Sequence, residues 1–297
     1  MSLPDEVAGE AGVSSGTFVY ARVSGEGGAH RIDLCLESYV SRDSSRRLGR
    51  AVIMVHGGAW TANDRHSPQV VCHNLAEAGF AVFSLDFRDG RNGKHPCAVR
   101  DITAGIRYVR ARAGDFGIDA DRIALIGSSS GGHLALLSAI QPDIPEHRGT
   151  PTSVEGADEL SAGVCCVAAL WPVSDPLRRL RHAMETGWDE LVQAHFRYYR
   201  DEDHMRDASV QRRLGAGEAR ELPPLLVVQP GEDANVPRDM TLDLIRAYQD
   251  AGGTVHYLFY PGLPHGFAYG ASCATTRLSE EIRGFFLRHT RSAREAH

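Results

Sequence analysis

The stretch Gly127-Ser128-Ser129-Ser130-Gly131-Gly132 decides the fold. It follows the apolar run Ile123–Ile126 and opens an apolar segment, Ser130–Ile140. A sharp turn from a strand into a helix needs glycine on both flanks, because side chains there would collide with the neighbouring elements. Such a turn raises its middle residue, Ser129, above the sheet edge at a helix amino end, where developing negative charge is stabilised. The sequence therefore predicts an exposed nucleophilic serine; the alternative is a serine-rich helix cap.

Short runs rich in Val, Ile and Phe alternate with longer segments of helical periodicity along the whole chain. This alternation predicts an α/β fold with a central, mostly parallel sheet covered by helices. The first two runs precede any helical pattern, so we expect them to form an antiparallel edge. The predicted strands are Phe18–Val23, Ile32–Tyr39, Ala51–His56, Ala81–Phe87, Ile123–Gly127, Val164–Leu170, Leu225–Gln229 and His256–Tyr260. The predicted helices cover residues 98–109, Ser130–Ile140, Pro237–Ala251 and Leu278–His289.

The composition is that of an ordinary globular protein. Of 297 residues, 42% are hydrophobic and 24% are charged, which excludes a disordered or collagen-like chain. The net charge of −6 argues against a nucleic-acid partner. The longest apolar run, Val164–Trp171, is too short to cross a bilayer. Met1–Ser15 has no basic segment followed by an apolar one, so we expect no signal peptide and a cytoplasmic location.

A second motif, His56-Gly57-Gly58-Ala59-Trp60, follows the apolar strand Ala51–Val55. Two successive glycines leave backbone N–H groups open to a ligand, as an oxyanion hole requires. An ordinary Gly-Gly turn is the alternative. Because this motif accompanies the serine turn, we favour the oxyanion hole.

Two further residues complete a catalytic pattern. Asp233 lies in the loop after the strand Leu225–Gln229, and His265 follows the strand His256–Tyr260. The order Ser129, Asp233, His265 is the order of the triad in the α/β-hydrolase fold. All three follow the carboxyl ends of separate strands, where open α/β sheets bind ligands. The sequence therefore predicts a serine–histidine–aspartate triad.

Several residues compete for these roles or for others. Glu232 is the rival of Asp233 as the acid. His133, one turn after the serine, is expected to be packed and hydrogen-bonded, and His56 is expected to support the glycine loop. The sequence has no H-E-x-x-H motif, no close Cys/His cluster, no P-loop and no dinucleotide-binding G-x-G-x-x-G. We therefore expect no metal and no cofactor.

The segment 173–220 interrupts the alternation, and we interpret the chain as a single domain, 1–297, with an insertion here. The insertion is highly charged but carries an apolar stripe of Trp188, Leu191, Val192, Phe196 and Tyr199. It leaves the sheet at the same edge as the serine turn, which favours a lid over the site. A solvated helical insertion and a contact with a second subunit, giving a homodimer, are the alternatives.

Aromatic residues beside these motifs are expected to form the wall of the substrate pocket. The expected substrate-binding residues are Trp60, Trp171, Phe196, Tyr199 and Phe267. A wall of this kind suits an apolar substrate body.

Taken together, the motifs resemble those of the α/β-hydrolase esterases. The matching segments are His56–Trp60, Gly127–Gly132 running into His133-Leu134-Ala135, Asp233 before Val236-Pro237, and Pro264-His265-Gly266-Phe267. The most similar groups are the hormone-sensitive-lipase-like carboxylesterases and the feruloyl-esterase/kynurenine-formamidase-like branch. The resemblance implies a fold with a central mostly parallel sheet, no cofactor, and an oxyanion hole formed by the backbone of Gly58, Ala59 and Ser130.

The sequence departs from that pattern at two positions. Ala59 stands where many members have a third glycine, and Ser130 stands where alanine or glycine is more usual. Both residues keep a backbone N–H, so no required donor is lost. The departures leave the choice of substrate open, since this fold supports many chemistries.

We therefore predict a serine hydrolase that cleaves a carboxylic ester of a small to medium apolar or aryl substrate. Ser129 attacks to form an acyl-enzyme, His265 transfers protons and Asp233 orients His265. An amidase or formamidase, a biosynthetic cyclase or lyase, and a non-catalytic ligand receptor are the alternatives. The expected partner is a small-molecule ester, without nucleic acid or membrane.

Overall fold

A mixed sheet forms the centre of the protein. The computed structural model describes residues 12–28 and 30–290. The strands in these residues are β1 Val13–Ser24, β2 Arg31–Ser41, β3 Ala51–Val55, β4 Ala81–Leu85, β5 Ile123–Ser128, β6 Val167–Leu170, β7 Leu225–Glu232 and β8 Val255–Pro264. They form a single eight-stranded sheet in the order β1-β2-β4-β3-β5-β6-β7-β8.

The pairing of the strands confirms the predicted α/β arrangement. Strand β2 is antiparallel to both β1 and β4. The remaining pairs, from β4–β3 through to β7–β8, are parallel. Each predicted run became a strand, and the expected antiparallel edge is present. Every residue of β3, β4, β5 and β6 is buried, as expected when helices cover both faces of a parallel sheet.

Helices cover the two faces of the sheet. Those described are α1 Gln69–Glu77, α2 Cys97–Ala111, α3 Ser130–Ile140, α4 Pro176–Glu185, α5 Asp189–Tyr198, α6 Glu202–Asp207, α7 Val210–Gly215, α8 Arg238–Asp250 and α9 Cys273–His289. Helices α2, α3 and α8 pack on the face that includes Ile53 and Val55. Helices α1 and α9 pack on the opposite face, which includes Val52 and Met54. Alternate residues of β3 therefore pack into two separate apolar layers, one on each face of the sheet.

The insertion 173–220 is helical, but its predicted apolar stripe is wrong. Helix α5 buries Leu191, Ala194, His195 and Tyr198, at spacings of three, one and three residues. Phe196 lies on the other side of this helix and is 42% exposed. The prediction was wrong because it considered only large apolar residues, whereas the buried face of α5 includes an alanine and a histidine.

Helix α4 attaches the insertion to the rest of the fold. Arg178 forms ion pairs with Asp239 and Asp243 of α8, both with an N–O distance of 2.5 Å. The Nε2 atom of His182 lies 2.9 Å from the carbonyl oxygen of Ala234. This helix is therefore fixed against the loop and the helix that follow β7.

The described helices include none that combines the length and apolar character needed to cross a membrane. The expectation of no signal peptide concerns Met1–Ser15, and residues 1–11 lie outside the described part of the chain.

The turn between β5 and α3 brings backbone segments into very close approach. A Cβ atom on Gly131 would lie 2.2 Å from the carbonyl oxygen of His56, and one on Gly127 would lie 2.3 Å from the carbonyl oxygen of Gly131. Neither carbonyl can move without displacing β3 or α3. Glycine is therefore required at both flanks of Ser129.

We expect Gly131→Ala to destabilise the fold by about 3 kcal/mol or more, because the added methyl group meets backbone rather than a movable side chain. The free energy of unfolding from urea titration tests this. Gly215→Ala is the matched control, since it is also a helical glycine and a Cβ there meets nothing within 4 Å. Equal stability of the two variants would contradict the prediction.

Candidate active site

Ser129, Asp233 and His265 each follow the last residue of a strand, β5, β7 and β8 respectively. The Nε2 atom of His265 lies 3.0 Å from the Oγ atom of Ser129. Its Nδ1 atom lies 2.8 Å from Oδ2 and 3.0 Å from Oδ1 of Asp233. The three side chains therefore form a continuous hydrogen-bonded chain from a carboxylate through an imidazole to a hydroxyl.

Ser129 has a strained backbone that neighbouring segments hold in place. Its φ angle is 54°, in the left-handed region that side chains rarely adopt. Its N–H donates to the carbonyl of Leu170 at 2.9 Å, and its own carbonyl accepts from the N–H groups of His133 and Val173. These bonds fix the strained turn and direct the hydroxyl to the imidazole.

Asp233 is held by the loop that contains it. Its side chain is 1% exposed. Its Oδ1 atom accepts hydrogen bonds from the N–H groups of Asn235 at 2.9 Å and Val236 at 2.8 Å. Glu232, the rival acid, is exposed at the end of β7. The structure thus brings Asp233, and not Glu232, to the histidine.

The glycine loop after β3 presents free N–H groups beside the serine. The φ angles of Gly58 and Ala59 are 123° and 51°. In residues 12–28 and 30–290, the N–H groups of Gly58, Ala59 and Ser130 donate no hydrogen bond. The hydroxyl of Ser130 accepts from the N–H of Trp60 at 3.2 Å. The hydroxyl that distinguishes this turn from the more usual alanine or glycine therefore holds the loop to helix α3.

A cavity of about 560 Å³ contains the reactive groups. Ser129, His265, Gly58 and Ala59 all line it, together with residues of α4 and α5 from the insertion. The other polar side chains of its wall belong to Thr61, Asn63, Arg179, Glu190, Gln193, Arg197, Asn235 and Tyr269. The cavity thus brings a serine hydroxyl, an imidazole and free backbone N–H groups into one space that a small molecule can enter.

The model of the BD-FAE family matches residues 36–247. This chain belongs to the BD-FAE family. It is 27% identical over 234 residues to esterase LipC of Mycobacterium tuberculosis, covering 78% of this chain and 56% of LipC. It is 26% identical to an ethyl acetate hydrolase of Pseudomonas putida, covering 76% of this chain and 68% of that protein. The chain thus spans little more than half the length of LipC.

Solved structures show the same fold. Esterase 2 of Thermogutta terrifontis, phosphonylated by sarin, aligns with a TM-score of 0.72 at 23% identity over 92% of this chain and 94% of that one. Esterase B of Lactobacillus rhamnosis aligns with a TM-score of 0.74 at 21% identity, over 96% and 88%. The BD-FAE chain has the α/β-hydrolase fold, and the resemblance to the α/β-hydrolase esterases is confirmed.

The predicted aromatic wall does not line this cavity in the BD-FAE chain. Trp60, Trp171 and Tyr199 are buried in the core. Phe196 lines a neighbouring groove, and Phe267 packs on Trp171 with 5.0 Å between ring centroids. Large aromatic rings gain more by packing on one another than by facing an open cavity. The substrate-binding assignment of these five residues is therefore corrected.

Several residues of the cavity were missed from the sequence, among them Tyr269, Arg179 and Arg197. Tyr269 lines it, and its hydroxyl lies 3.1 Å from that of Ser128. Arg179 and Arg197 come from the insertion, where the many charged residues gave no signal to separate a buried arginine from a solvated one. Their positions depend on the rotation of α4 and α5, which only packing determines.

Charged and polar residues after β3 and β4 have structural contacts. Asp86 forms an ion pair with Arg65 at 2.5 Å, and Arg88 forms one with Asp101 at 2.7 Å. His56 is buried, and its Nδ1 atom lies 2.7 Å from the carbonyl oxygen of Gly57. These contacts support the strand ends and the glycine loop beside the cavity.

Buried histidines surround Trp60 beneath the glycine loop. The ring of His133 lies 5.6 Å from that of Trp60, and the ring of His195 lies 5.2 Å from it. Burial lowers the pKa of His133 to about 4. Burial, with the charge of Arg179, lowers the pKa of His195 to about 3. Both are neutral at pH 7. Among the described residues, no three His, Cys, Asp or Glu side chains are grouped to hold a metal ion.

The protein should lose stability in mild acid. A histidine in the unfolded chain binds a proton near pH 6.5, whereas folded His133 does so only near pH 4. Between these values the unfolded state binds more protons, so the free energy of unfolding falls as pH falls, by about 1.4 kcal/mol per pH unit for this group.

We expect His133→Gln to reduce this slope between about pH 6.5 and pH 4, because glutamine does not titrate there and can still donate to the carbonyl of Ala208. Urea unfolding at a series of pH values measures the slope. His66→Gln, at an exposed position, is the control and should leave it unchanged. An unchanged slope in His133→Gln would contradict the prediction.

Proposed function

We propose that this chain is a serine hydrolase that cleaves carboxylic esters through an acyl-enzyme. The observation that carries the proposal is the chain of contacts from Asp233 through His265 to Ser129, with distances of 2.8 Å and 3.0 Å. The names of the relatives LipC and ethyl acetate hydrolase support an ester rather than an amide. We therefore do not favour the amidase, formamidase, cyclase or lyase alternatives.

In the acylation step, the Oγ atom of Ser129 attacks the ester carbonyl carbon while its proton passes to Nε2 of His265. The carbonyl π electrons move to oxygen, and the N–H groups of Gly58, Ala59 and Ser130 stabilise the resulting oxyanion. The intermediate then collapses. The bond to the alcohol oxygen breaks, and that oxygen takes the proton from His265.

In the deacylation step, water gives a proton to Nε2 of His265 as its oxygen attacks the acyl carbon. The second oxyanion accepts hydrogen bonds from the same N–H groups. Its collapse breaks the bond to Ser129, whose Oγ atom recovers the proton from the imidazole. The carboxylic acid leaves and the free enzyme is regenerated.

Asp233 acts on His265 and not on the substrate. Its carboxylate accepts a hydrogen bond from the Nδ1–H group, which leaves the unprotonated Nε2 atom facing Ser129. It also stabilises the imidazolium that forms in each step, without itself taking the proton. Two backbone N–H groups hold this carboxylate in place, so the imidazole is oriented before substrate arrives.

We also propose that the insertion 173–220 is part of the single domain and forms one wall of the substrate cavity. Helix α5 contributes Leu191 and Ala194 to the cavity, an apolar surface for the body of a small to medium alkyl or aryl ester. Helix α4 is fixed by its contacts with α8, which favours a fixed wall over a lid that opens. A cytoplasmic location and a homodimer stay predictions.

Ser129→Ala should lower kcat by about 10⁴-fold to 10⁶-fold, because the nucleophile of the acyl-enzyme is removed. Initial rates on a p-nitrophenyl ester measure this, and mass spectrometry should locate an organophosphate label on Ser129. Ser138→Ala is the control, since Ser138 is buried in α3, the helix that follows Ser129, and does not line the cavity. Near-full activity in Ser129→Ala, or labelling elsewhere, would overturn the assignment.

Asp233→Asn should lower kcat by about 10⁴-fold, because an amide at this position favours the wrong tautomer of His265. Glu232→Gln is the matched neighbour and should have little effect, since the side chain is exposed. Circular dichroism of both variants checks that the fold is kept. If Glu232→Gln were the more damaging change, the acid would be reassigned.

A further inference from the structure

The cavity is positively charged in a protein whose net charge is −6. Its wall contains two arginines, Arg179 and Arg197, and one acidic residue, Glu190. Arg197 also lines an adjoining groove of about 430 Å³, whose other charged residue among those described is Lys94. Three cationic side chains therefore line the cavity and the groove, Arg179, Arg197 and Lys94. Glu190 is the one carboxylate among the described lining residues.

Arg179 is fully buried and its partners are neutral. Its Nη1 atom donates to Oδ1 of Asn235 at 2.5 Å, and its Nε atom donates to Nε2 of His195 at 3.3 Å. Its Nη2 atom has no partner among the described residues. Burial lowers the pKa of this guanidinium to about 10, so the group is still charged at neutral pH.

Two other buried arginines have carboxylate partners. Arg107 lies 3.0 Å from a carboxylate oxygen of Asp143, and Arg213 lies within 4.0 Å of both Glu146 and Glu218. Within the described residues, no carboxylate lies within 4.0 Å of Arg179. A buried charge without a counter-ion is costly, and this one lies at the wall of the cavity that contains the nucleophile.

Arg197 is exposed and its side chain is unengaged. The guanidinium group of Arg197 forms no hydrogen bond or ion pair with any described residue. Its backbone carbonyl accepts a hydrogen bond from Nζ of Lys94 at 2.6 Å, which holds the end of α5 beside the groove. The guanidinium fork is therefore free to bind a ligand at a fixed place on the wall.

We infer that the substrates are esters that carry a carboxylate remote from the scissile bond, and that Arg197 binds this carboxylate. The inference rests on the proposed ester hydrolysis. A guanidinium matches a carboxylate with two parallel hydrogen bonds. Arg179 and Lys94 add positive potential on either side of that contact, and the apolar surface of Leu191 and Ala194 suits the carbon chain between the two groups.

A pair of matched esters tests the inference. p-Nitrophenyl valerate and mono-p-nitrophenyl glutarate have the same number of acyl carbons and differ by a terminal carboxylate. After subtraction of the uncatalysed rates, kcat/KM for the glutarate ester should exceed that for the valerate ester by about fivefold to tenfold. This preference should decline as sodium chloride is added, because salt screens an exposed ion pair.

Variants assign the preference to a residue. Arg197→Gln should reduce the glutarate-to-valerate ratio about fivefold, mainly through KM of the glutarate ester, and Arg197→Lys should retain part of it. Arg200→Gln is the control, since Arg200 is also exposed and does not line the cavity. Its ratio should equal that of the unmodified protein.

Two outcomes would overturn the inference while leaving ester hydrolysis intact. One is a glutarate-to-valerate ratio of one or below that does not respond to salt. The other is an unchanged ratio in Arg197→Gln. If neither ester is cleaved, the proposed hydrolysis fails, and calorimetry with glutarate then decides the remaining point. If glutarate does not bind, or binds equally well to the Arg197→Gln variant, the anion site is overturned as well.

Discussion

The close approach of helix α3 to the end of strand β3 is the constraint on which the site depends. Only glycine fits at Gly131, because the carbonyl of His56 lies where a side chain would begin. This contact places the amino end of α3 directly beside the glycine loop. The free N–H of Ser130 and those of Gly58 and Ala59 therefore belong to two segments that are in direct contact. A looser contact would separate these N–H groups, which the proposed oxyanion hole needs side by side.

The strands, and the placement of Ser129, Asp233 and His265 at one edge of the sheet, were predictable because both follow from local sequence. A parallel strand buried on both faces is apolar throughout, so β3 and β5 are visible as uninterrupted runs. Each triad residue comes directly after such a run, and the carboxyl ends of parallel strands share one edge. Helix α1 was not predicted, because Gln69–Glu77 mixes polar residues with a short buried stripe. Helix α9 starts at Cys273 rather than Leu278, since Ser272 caps it five residues earlier.

The substrate wall was not predictable, because it depends on tertiary rotation. The sequence shows that α5 contains aromatic and charged residues, but not which side of the helix meets the core. His195 and Tyr198 pack beside Trp60 in the core. This orientation of α5 leaves Phe196 exposed and places Arg197 at the cavity. Burial of polar aromatic groups in preference to a phenylalanine runs against simple hydrophobic ranking. The hydrogen bond from Nε of Arg179 to Nε2 of His195 stabilises this arrangement.

Helix α4 separates two tasks within the insertion. Its contacts through Arg178, His182 and the Nη1 atom of Arg179 reach the loop and helix that follow β7, whereas α5 supplies most of the insertion's residues in the cavity wall. The loop that contains Asp233 is thus held by one helix, and most of the wall that the insertion contributes belongs to another. Substitutions on the exposed side of α5, as at Glu190 and Gln193, can therefore alter the cavity wall without touching the contacts that hold the loop of Asp233.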